Sequence, residues 1–136
     1  MIWGHLSQYR NLGLLVLRAS VGLYMAFGHG LGKITGGPEQ WTQLGGVMEG
    51  IFGFVVAPMA WGFLAAAAEF VGALFVTVGL LTRPAALVLV LNMTVAALAH
   101  ITGVIEGSPE SALIYGFVFL SLVLVGPGAY RFDGDA

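Results

Sequence analysis

The chain has 136 residues, of which 58% are hydrophobic and only 9% are charged, and its mean hydropathy is +0.92. This composition excludes an ordinary soluble domain and is typical of an integral membrane protein, so we expect a lipid bilayer around it. The formal net charge of -2 argues against a nucleic-acid partner, and a chain without cysteine cannot ligate an iron–sulfur cluster through thiolates.

Long apolar segments predict membrane-spanning helices. A bilayer core requires about 20 apolar residues per helix, so this length supplies roughly four spans and leaves nothing for a soluble domain. The segments lie at about 11–31, 59–81, 84–102 and 110–126. The predicted fold is all-α: an integral membrane four-helix bundle in which residues 1–136 form a single domain.

Local signals mark the ends of the third and fourth spans. Thr82 is a suitable cap for the third span, and Pro84 stands in its first turn, where a missing N–H does no harm. Ser108 followed by Pro109 repeats this start signal for the fourth span, and the GPG sequence at Gly126 stops it.

The connection between the first two spans has a helical pattern of its own. Apolar residues recur at spacings of three and four, which places them on one helical face: Trp41, Leu44, Met48, Ile51, Phe52 and Val55. We therefore predict a short helix at about 39–56, lying in the membrane interface or over the mouth of the bundle. Its several glycines leave an irregular loop as the alternative.

Basic residues near the helix ends predict the orientation. Arg10, Arg83 and Arg131 fall on the side that holds both termini, whereas Lys33 is alone on the other side. Because cytoplasmic loops carry an excess of Lys and Arg, we expect both termini of this multi-pass protein to be cytoplasmic.

One carboxylate, Glu69, lies in the middle of the second span. Ionised side chains at that depth are costly, so they usually face the bundle interior and pair with another polar group. Arg18 in the antiparallel first span is the deep cation that can reach it, and we predict an Arg18–Glu69 pair. The pair either locks the two helices in register or makes Glu69 a proton carrier, with Arg18 beside it in a catalytic role.

A second group of polar residues is expected at the outer mouth of the bundle. The spacing of Arg18, Gly22, Met25 and His29 predicts one helical face that ends at His29. His100 closes the third span on the same side. The predicted mouth therefore contains two imidazoles, one amine and two carboxylates: His29, Lys33, His100, Glu106 and Glu110.

Several ligands fit this predicted pocket. His29 and His100 would suit a haem, and Met25 with His29 would suit copper, although two imidazoles at helix ends are more often simple hydrogen-bonding groups. His29 and Lys33 would instead bind the oxygens of a small polar head group, such as a quinone carbonyl. Asn92 in the third span either joins that cofactor-binding group or forms an interhelical hydrogen bond.

Three ordered segments resemble the DoxX family of small membrane proteins. They are HGLGKI at the end of the first span, AEFVGALFVTVGLLTRPAAL across the second and third spans, and ESALIYGFVFLSLVLVGPGAYRFD at the end of the chain. The resemblance implies a four-helix membrane fold in the cell (inner) membrane and a link to respiratory redox chemistry, because the family is named after components associated with a quinol oxidase and a thiosulfate:quinone oxidoreductase. It matches the family's recurrent polar positions to His29, Lys33, Glu69, Arg83 and Glu110.

Three functions stay open from the sequence. The first is a quinone-interacting subunit of a membrane redox complex, in which a partner or bound cofactor donates the electrons. The second is an anchor or assembly module for a redox partner, whose buried charges serve folding alone. The third is a small transporter, which the lack of an internal repeat disfavours. A homo-oligomer is compatible with each of them.

Overall fold

The computed structural model describes residues 2–133, and within that range every regular element is a helix. Five helices follow one another along the chain, and we label them α1 to α5: Ile2–Ile34, Gly37–Phe52, Pro58–Val78, Thr82–Ile101 and Glu110–Val125. The first begins as a 3₁₀ segment, Ile2–Tyr9, before it continues as an α-helix. The predicted all-α fold is confirmed.

The predicted spans correspond to α1, α3, α4 and α5. The first three of these helices are long and apolar enough to cross a membrane, whereas α5 is equally apolar but has 16 residues. At 1.5 Å per residue α5 is about 24 Å long, somewhat less than the hydrocarbon thickness of about 30 Å. The helices therefore have the lengths and composition of a membrane-embedded bundle.

The start of α5 lies within one residue of its sequence signal, while the predicted cap of α4 is not at the cap position. Ser108 Oγ accepts a hydrogen bond from the Glu110 amide at 3.2 Å, but the cap position is Pro109 and the helix begins at Glu110. Thr82, the predicted cap of α4, is instead inside the helix with its hydroxyl buried. The cap position is Leu81, whose amide donates to Asp133 Oδ2 at 2.7 Å, because the C-terminal segment folds back onto this end.

The predicted helix between the first two spans is α2, and it packs along α3. Contacts at two glycines bring the backbones together: a Cβ at Gly45 would lie 1.7 Å from the Pro58 carbonyl oxygen, and one at Gly62 would lie 1.6 Å from that of Trp41. The Trp41 ring meets Phe63 edge-on with centroids 5.0 Å apart. Small residues permit this close packing where side chains would separate the helices.

The other helices pack in the order α1, α3, α4, α5, each antiparallel to the next. Gly22 of α1 faces Ala73 and Thr77 of α3, Gly72 of α3 faces Leu89 of α4, and Gly116 of α5 faces Met93 of α4. The most deeply buried apolar side chains lie along these contacts: Met25, Ala73, Val76, Ala86, Leu89, Phe119 and Leu122.

After α5 the chain folds back over the end of the bundle that holds the start of α1. The Ala129 amide donates to Asn11 Oδ1 at 3.0 Å, and the Phe132 amide donates to the carbonyls of Val78 and Gly79, both at 3.2 Å. We call residues 126–133 the C-terminal tail. It closes that end of the bundle and leaves the opposite end, at Lys33 and His100, as the other mouth.

Candidate functional site

The carboxylate of Glu69 is paired with Lys33. Lys33 lies in the last turn of α1, and its Nζ is 2.9 Å from Oε1 and 2.7 Å from Oε2 of Glu69. The Glu69 side chain is 4% exposed, while that of Lys33 is 31% exposed. The pair therefore links a buried acid to a cation with one edge open.

Asn92 of α4 completes the polar cluster. Its Nδ2 donates to Glu69 Oε1 at 2.9 Å, so this oxygen accepts hydrogen bonds from both Asn92 and Lys33. We call Lys33, Glu69 and Asn92 the polar triad. Each residue comes from a different helix, and the carboxylate has partners on both oxygens, as a buried charge requires.

Two π-helical turns place the members of the triad. α1 is π-wound over Ala26–Gly30 and α3 over Ala68–Gly72, and these turns lie against each other. A Cβ at Gly30 would lie 2.5 Å from the Phe70 nitrogen and 2.7 Å from the Glu69 carbonyl oxygen, so the two backbones touch. One turn beyond Gly30, Lys33 reaches Glu69. π-bulges inside α-helices are found often at functional sites.

The triad lies at the wall of a large apolar cavity bounded by α2, α3 and α4, with a volume of about 700 Å³. Along α4 the cavity extends from Pro84 to Ala96, about 18 Å of helix. Its apolar walls include Leu44, Met48, Trp61, Phe75, Val88 and Leu91. Val88 is 50% exposed and Leu91 is 61% exposed. The cavity is therefore a groove that opens sideways, toward the lipid of a bilayer.

The predicted Arg18–Glu69 pair is wrong. Arg18 is fully buried, and its guanidinium donates to the carbonyls of Val76, Thr77 and Tyr130. Val76 is two turns beyond Glu69 on α3, about 11 Å away along the axis. The helices pack with Gly30, not Arg18, opposite Glu69, so Lys33 takes the place that the sequence had given to Arg18.

The buried face of α1, which the sequence predicts to end at His29, does not include His29. Arg18, Gly22 and Met25 are buried along it as expected, but the buried positions that follow are Ala26 and Gly30, and His29 is exposed. The π-turn inserts one extra residue into the winding, which rotates His29 off this face. His29 instead packs edge-on against Tyr115 of α5, with ring centroids 5.5 Å apart.

His100 and Glu110 lie at the same mouth as Lys33 but do not line the groove. His100 is partly buried beside Gly107, and Glu110 is exposed at the start of α5. Residues 2–133 bring together no group of three or more metal-ligating His, Cys, Asp or Glu side chains. The structure thus brings together Lys33, Glu69 and Asn92 from the predicted set, and leaves Arg18, His29, His100 and Glu110 apart from them.

The triad has hydrogen-bond donors and an acceptor that are not used within the triad and are available to a ligand. Lys33 carries three N–H donors, two of which meet Glu69, and Asn92 retains its second amide hydrogen and its carbonyl oxygen. The charges of Lys33 and Glu69 cancel. A polar group beside the triad would therefore meet hydrogen-bond donors and an acceptor in a neutral setting, with apolar walls on either side.

Comparison with known proteins agrees with the sequence resemblance. The family model named DoxX matches residues 13–101, which is more than half of the chain. The chain belongs to the DoxX family. This DoxX protein is also 34% identical to an uncharacterized protein of Haemophilus influenzae over 136 residues, covering 95% of this chain and 94% of the relative. No solved structure matches it. Family and helices together identify a small membrane protein.

Proposed function

We propose that this DoxX protein is a quinone-interacting component of a membrane redox complex. The observation that carries the proposal is the position of the polar triad on the wall of an apolar groove that opens toward lipid. A quinone has the matching form, with a polar ring and a long apolar chain. Binding sites of this kind combine apolar walls with a few placed polar groups.

The residues present suit a quinone head group. A carbonyl oxygen of the ring would accept a hydrogen bond from the remaining N–H of Lys33 or of Asn92. Glu69 would keep its hydrogen bonds to both of these residues. The apolar chain would lie against Phe75, Val88 and their neighbours along the groove. Arg18 has no part in this site, because its guanidinium serves the opposite end of the bundle.

Glu69 is the group proposed to handle protons. When bound, a quinone takes up protons as well as electrons on reduction, so a protonatable side chain beside it is useful. Lys33 connects Glu69 to the mouth, because it contacts both carboxylate oxygens and is itself partly exposed. A redox partner protein or a bound cofactor supplies the electrons, and a chain without cysteine holds no thiolate-ligated cluster for this purpose. We place the protein in the inner membrane as a multi-pass protein, with both termini cytoplasmic.

The proposal is tested by identifying the small molecule that co-purifies with the protein. Protein purified gently in mild detergent is extracted with solvent, and the extract is measured by mass spectrometry and by its ultraviolet–visible spectrum. We expect quinone in a near-stoichiometric amount with the parent protein, and much less with Glu69→Gln at an equal yield of folded protein. A haem spectrum, bound copper or an empty parent protein would overturn it. Native mass spectrometry of the same sample measures whether the protein is a homo-oligomer.

A non-catalytic assembly module is the second candidate, and the network around Arg18 favours it. Arg18 joins α1, α3 and the C-terminal tail through carbonyl contacts alone, which shows that a buried charge in this fold has a structural use. If the triad served only the same purpose, the double variant Lys33→Met, Glu69→Leu would keep both partner recruitment and redox activity in membranes. Loss of activity with retained recruitment would favour the quinone role.

A further inference from the structure

The electrostatics of the groove define a class of ligands that includes quinones and extends beyond them. We propose that the groove binds long-chain amphiphiles with an uncharged head group, with the head at the polar triad and the chain lying in the groove along α3 and α4. This inference rests on the proposed function for its site, but it excludes fatty acids and phospholipids on physical grounds.

The head group must be uncharged because the charges of Lys33 and Glu69 already cancel. An anionic head that accepted the third N–H of Lys33 would lie beside the buried Glu69 carboxylate and would meet no net positive charge to offset its loss of hydration. A cationic head would compete with Lys33 for Glu69 and meet the ammonium beside it. A carbonyl or hydroxyl head avoids both costs, because it uses N–H groups that Glu69 does not take up.

The shape of the groove suits the chain of such a molecule. Apart from the triad, its lining side chains are apolar, from Trp61 to Phe75 along α3 and from Pro84 to Ala96 along α4. Glu69 is eight residues from Trp61 and Asn92 is eight residues from Pro84, so about 12 Å of apolar groove lies on each side of the triad for an extended alkyl or isoprenoid chain. The exposed edges of Val88 and Leu91 let the chain enter sideways from the bilayer.

Trp61 provides the probe, because its ring lines the groove. The protein is placed in nanodiscs of unbrominated phospholipid and titrated with a brominated long-chain alcohol, which quenches nearby tryptophan. Brominated fatty acid of the same chain length, at a pH where it is ionised, is titrated in parallel. The variant Trp61→Phe identifies the signal of the groove tryptophan among the three in the chain.

We expect the alcohol to quench Trp61 with saturation, and the acid to give only the linear quenching of an amphiphile dissolved in the bilayer. Gly72→Phe fills the groove, since a Cβ there meets only Leu89 at 3.9 Å, and should remove the saturable part. Ala68→Phe, at another lining position, gives a second blocked variant if the first does not fold. Leu124→Phe, on the exposed surface of α5 away from the groove, is the matched control and should keep it.

Saturable quenching by the acid equal to that by the alcohol would overturn the inference, as would quenching that survives in both blocked variants. Saturable quenching by brominated phospholipid would overturn it too. Quenching that appears only when the protein is diluted to monomers would also overturn it, because it would show that a second copy of the chain covers the groove. If quinone co-purifies in a Glu69-dependent manner but the alcohol does not saturate, the proposed function stands and this inference fails. If the alcohol saturates while no quinone co-purifies, the reverse holds.

Discussion

Lys33 Nζ lies 2.7 Å from Glu69 Oε2, one turn beyond the point where the π-wound turns of α1 and α3 touch. The contact joins the mouth of the bundle to an acid buried in its interior. Because the partner cation is at the end of α1 and not in its middle, the acid keeps a connection to the solvent side. The proposed proton role of Glu69 depends on this connection.

Removing Lys33 alone should destabilise the protein strongly. Lys33→Met leaves the Glu69 carboxylate buried without its cation, and breaking a buried pair in this way costs about 3–5 kcal/mol. The double variant Lys33→Met, Glu69→Leu should recover most of that loss, because neither charge is then left unpaired. Reversible unfolding in mixed detergent measures each free energy, with the exposed Glu39→Gln as control. Equal stability of Lys33→Met and the parent would refute the pairing.

Gly30 should tolerate no side chain, whereas Gly32 should. A Cβ at Gly30 would lie 2.6 Å from the Glu69 carbonyl carbon, but one at Gly32 meets nothing within 4 Å. We expect Gly30→Ala to lower the free energy of unfolding by about 1–3 kcal/mol and to weaken the triad, because the helices must move apart. Gly32→Ala should be neutral or slightly stabilising, since alanine favours helix. Similar effects of the two substitutions would contradict the close contact.

The sequence predicts the helices of this fold well because their signals are local. Apolar length, the proline and serine at the start of α5, and the periodic pattern of α2 each depend on neighbouring residues, and all of these helices are present. The predicted pairing of Arg18 with Glu69 failed because it assumed uniform α-helices and an estimated register. Nothing local to Arg18 indicates that its partners are carbonyls at the end of α3 and in the tail.

The triad was predicted as residues but not as a group. The sequence singles out Glu69, Lys33 and Asn92 separately, with Lys33 at the mouth and Asn92 either in the cofactor-binding group or in an interhelical hydrogen bond. The structure has that interhelical bond, to Glu69. The π-turns that bring them together depend on tertiary contact at Gly30. The alternating glycines at Gly28, Gly30 and Gly32 are the signal in the sequence that could have pointed to such a close approach.

Arg18 should be irreplaceable by lysine. Its forked guanidinium donates to Val76, Thr77 and Tyr130 from two nitrogens, a geometry that a single ammonium on a thinner chain does not reproduce. We expect Arg18→Lys to cost about 1.5–3 kcal/mol, the range for a hydrogen bond to a charged group, and to release the C-terminal tail. Limited proteolysis of the tail and unfolding both measure this, with exposed Arg10→Lys as the control. A tail equally protected in Arg18→Lys would contradict it.

The position of α2 should depend on Gly45 and not on its neighbour Gly46. A Cβ at Gly45 would lie 1.7 Å from the Pro58 carbonyl oxygen, whereas one at Gly46 meets nothing within 4 Å. Gly45→Ala should push α2 from α3 and break the hydrogen bond from Trp41 Nε1 to the Lys33 carbonyl, which is 2.9 Å long. Tryptophan emission reports that change. Gly46→Ala should leave the emission as in the parent, and a shift of equal size in both variants would exclude this packing.

Photolabelling with an azido-quinone tests most directly whether the triad is the quinone site. The probe is bound in membranes, illuminated, and its attachment points are mapped by peptide mass spectrometry with and without excess unlabelled quinone. The proposed site predicts competed labelling on α3 and α4 within one turn of Glu69 or Asn92. Competed labelling beside His29 and Tyr115 instead, or labelling that excess quinone does not reduce, would contradict it.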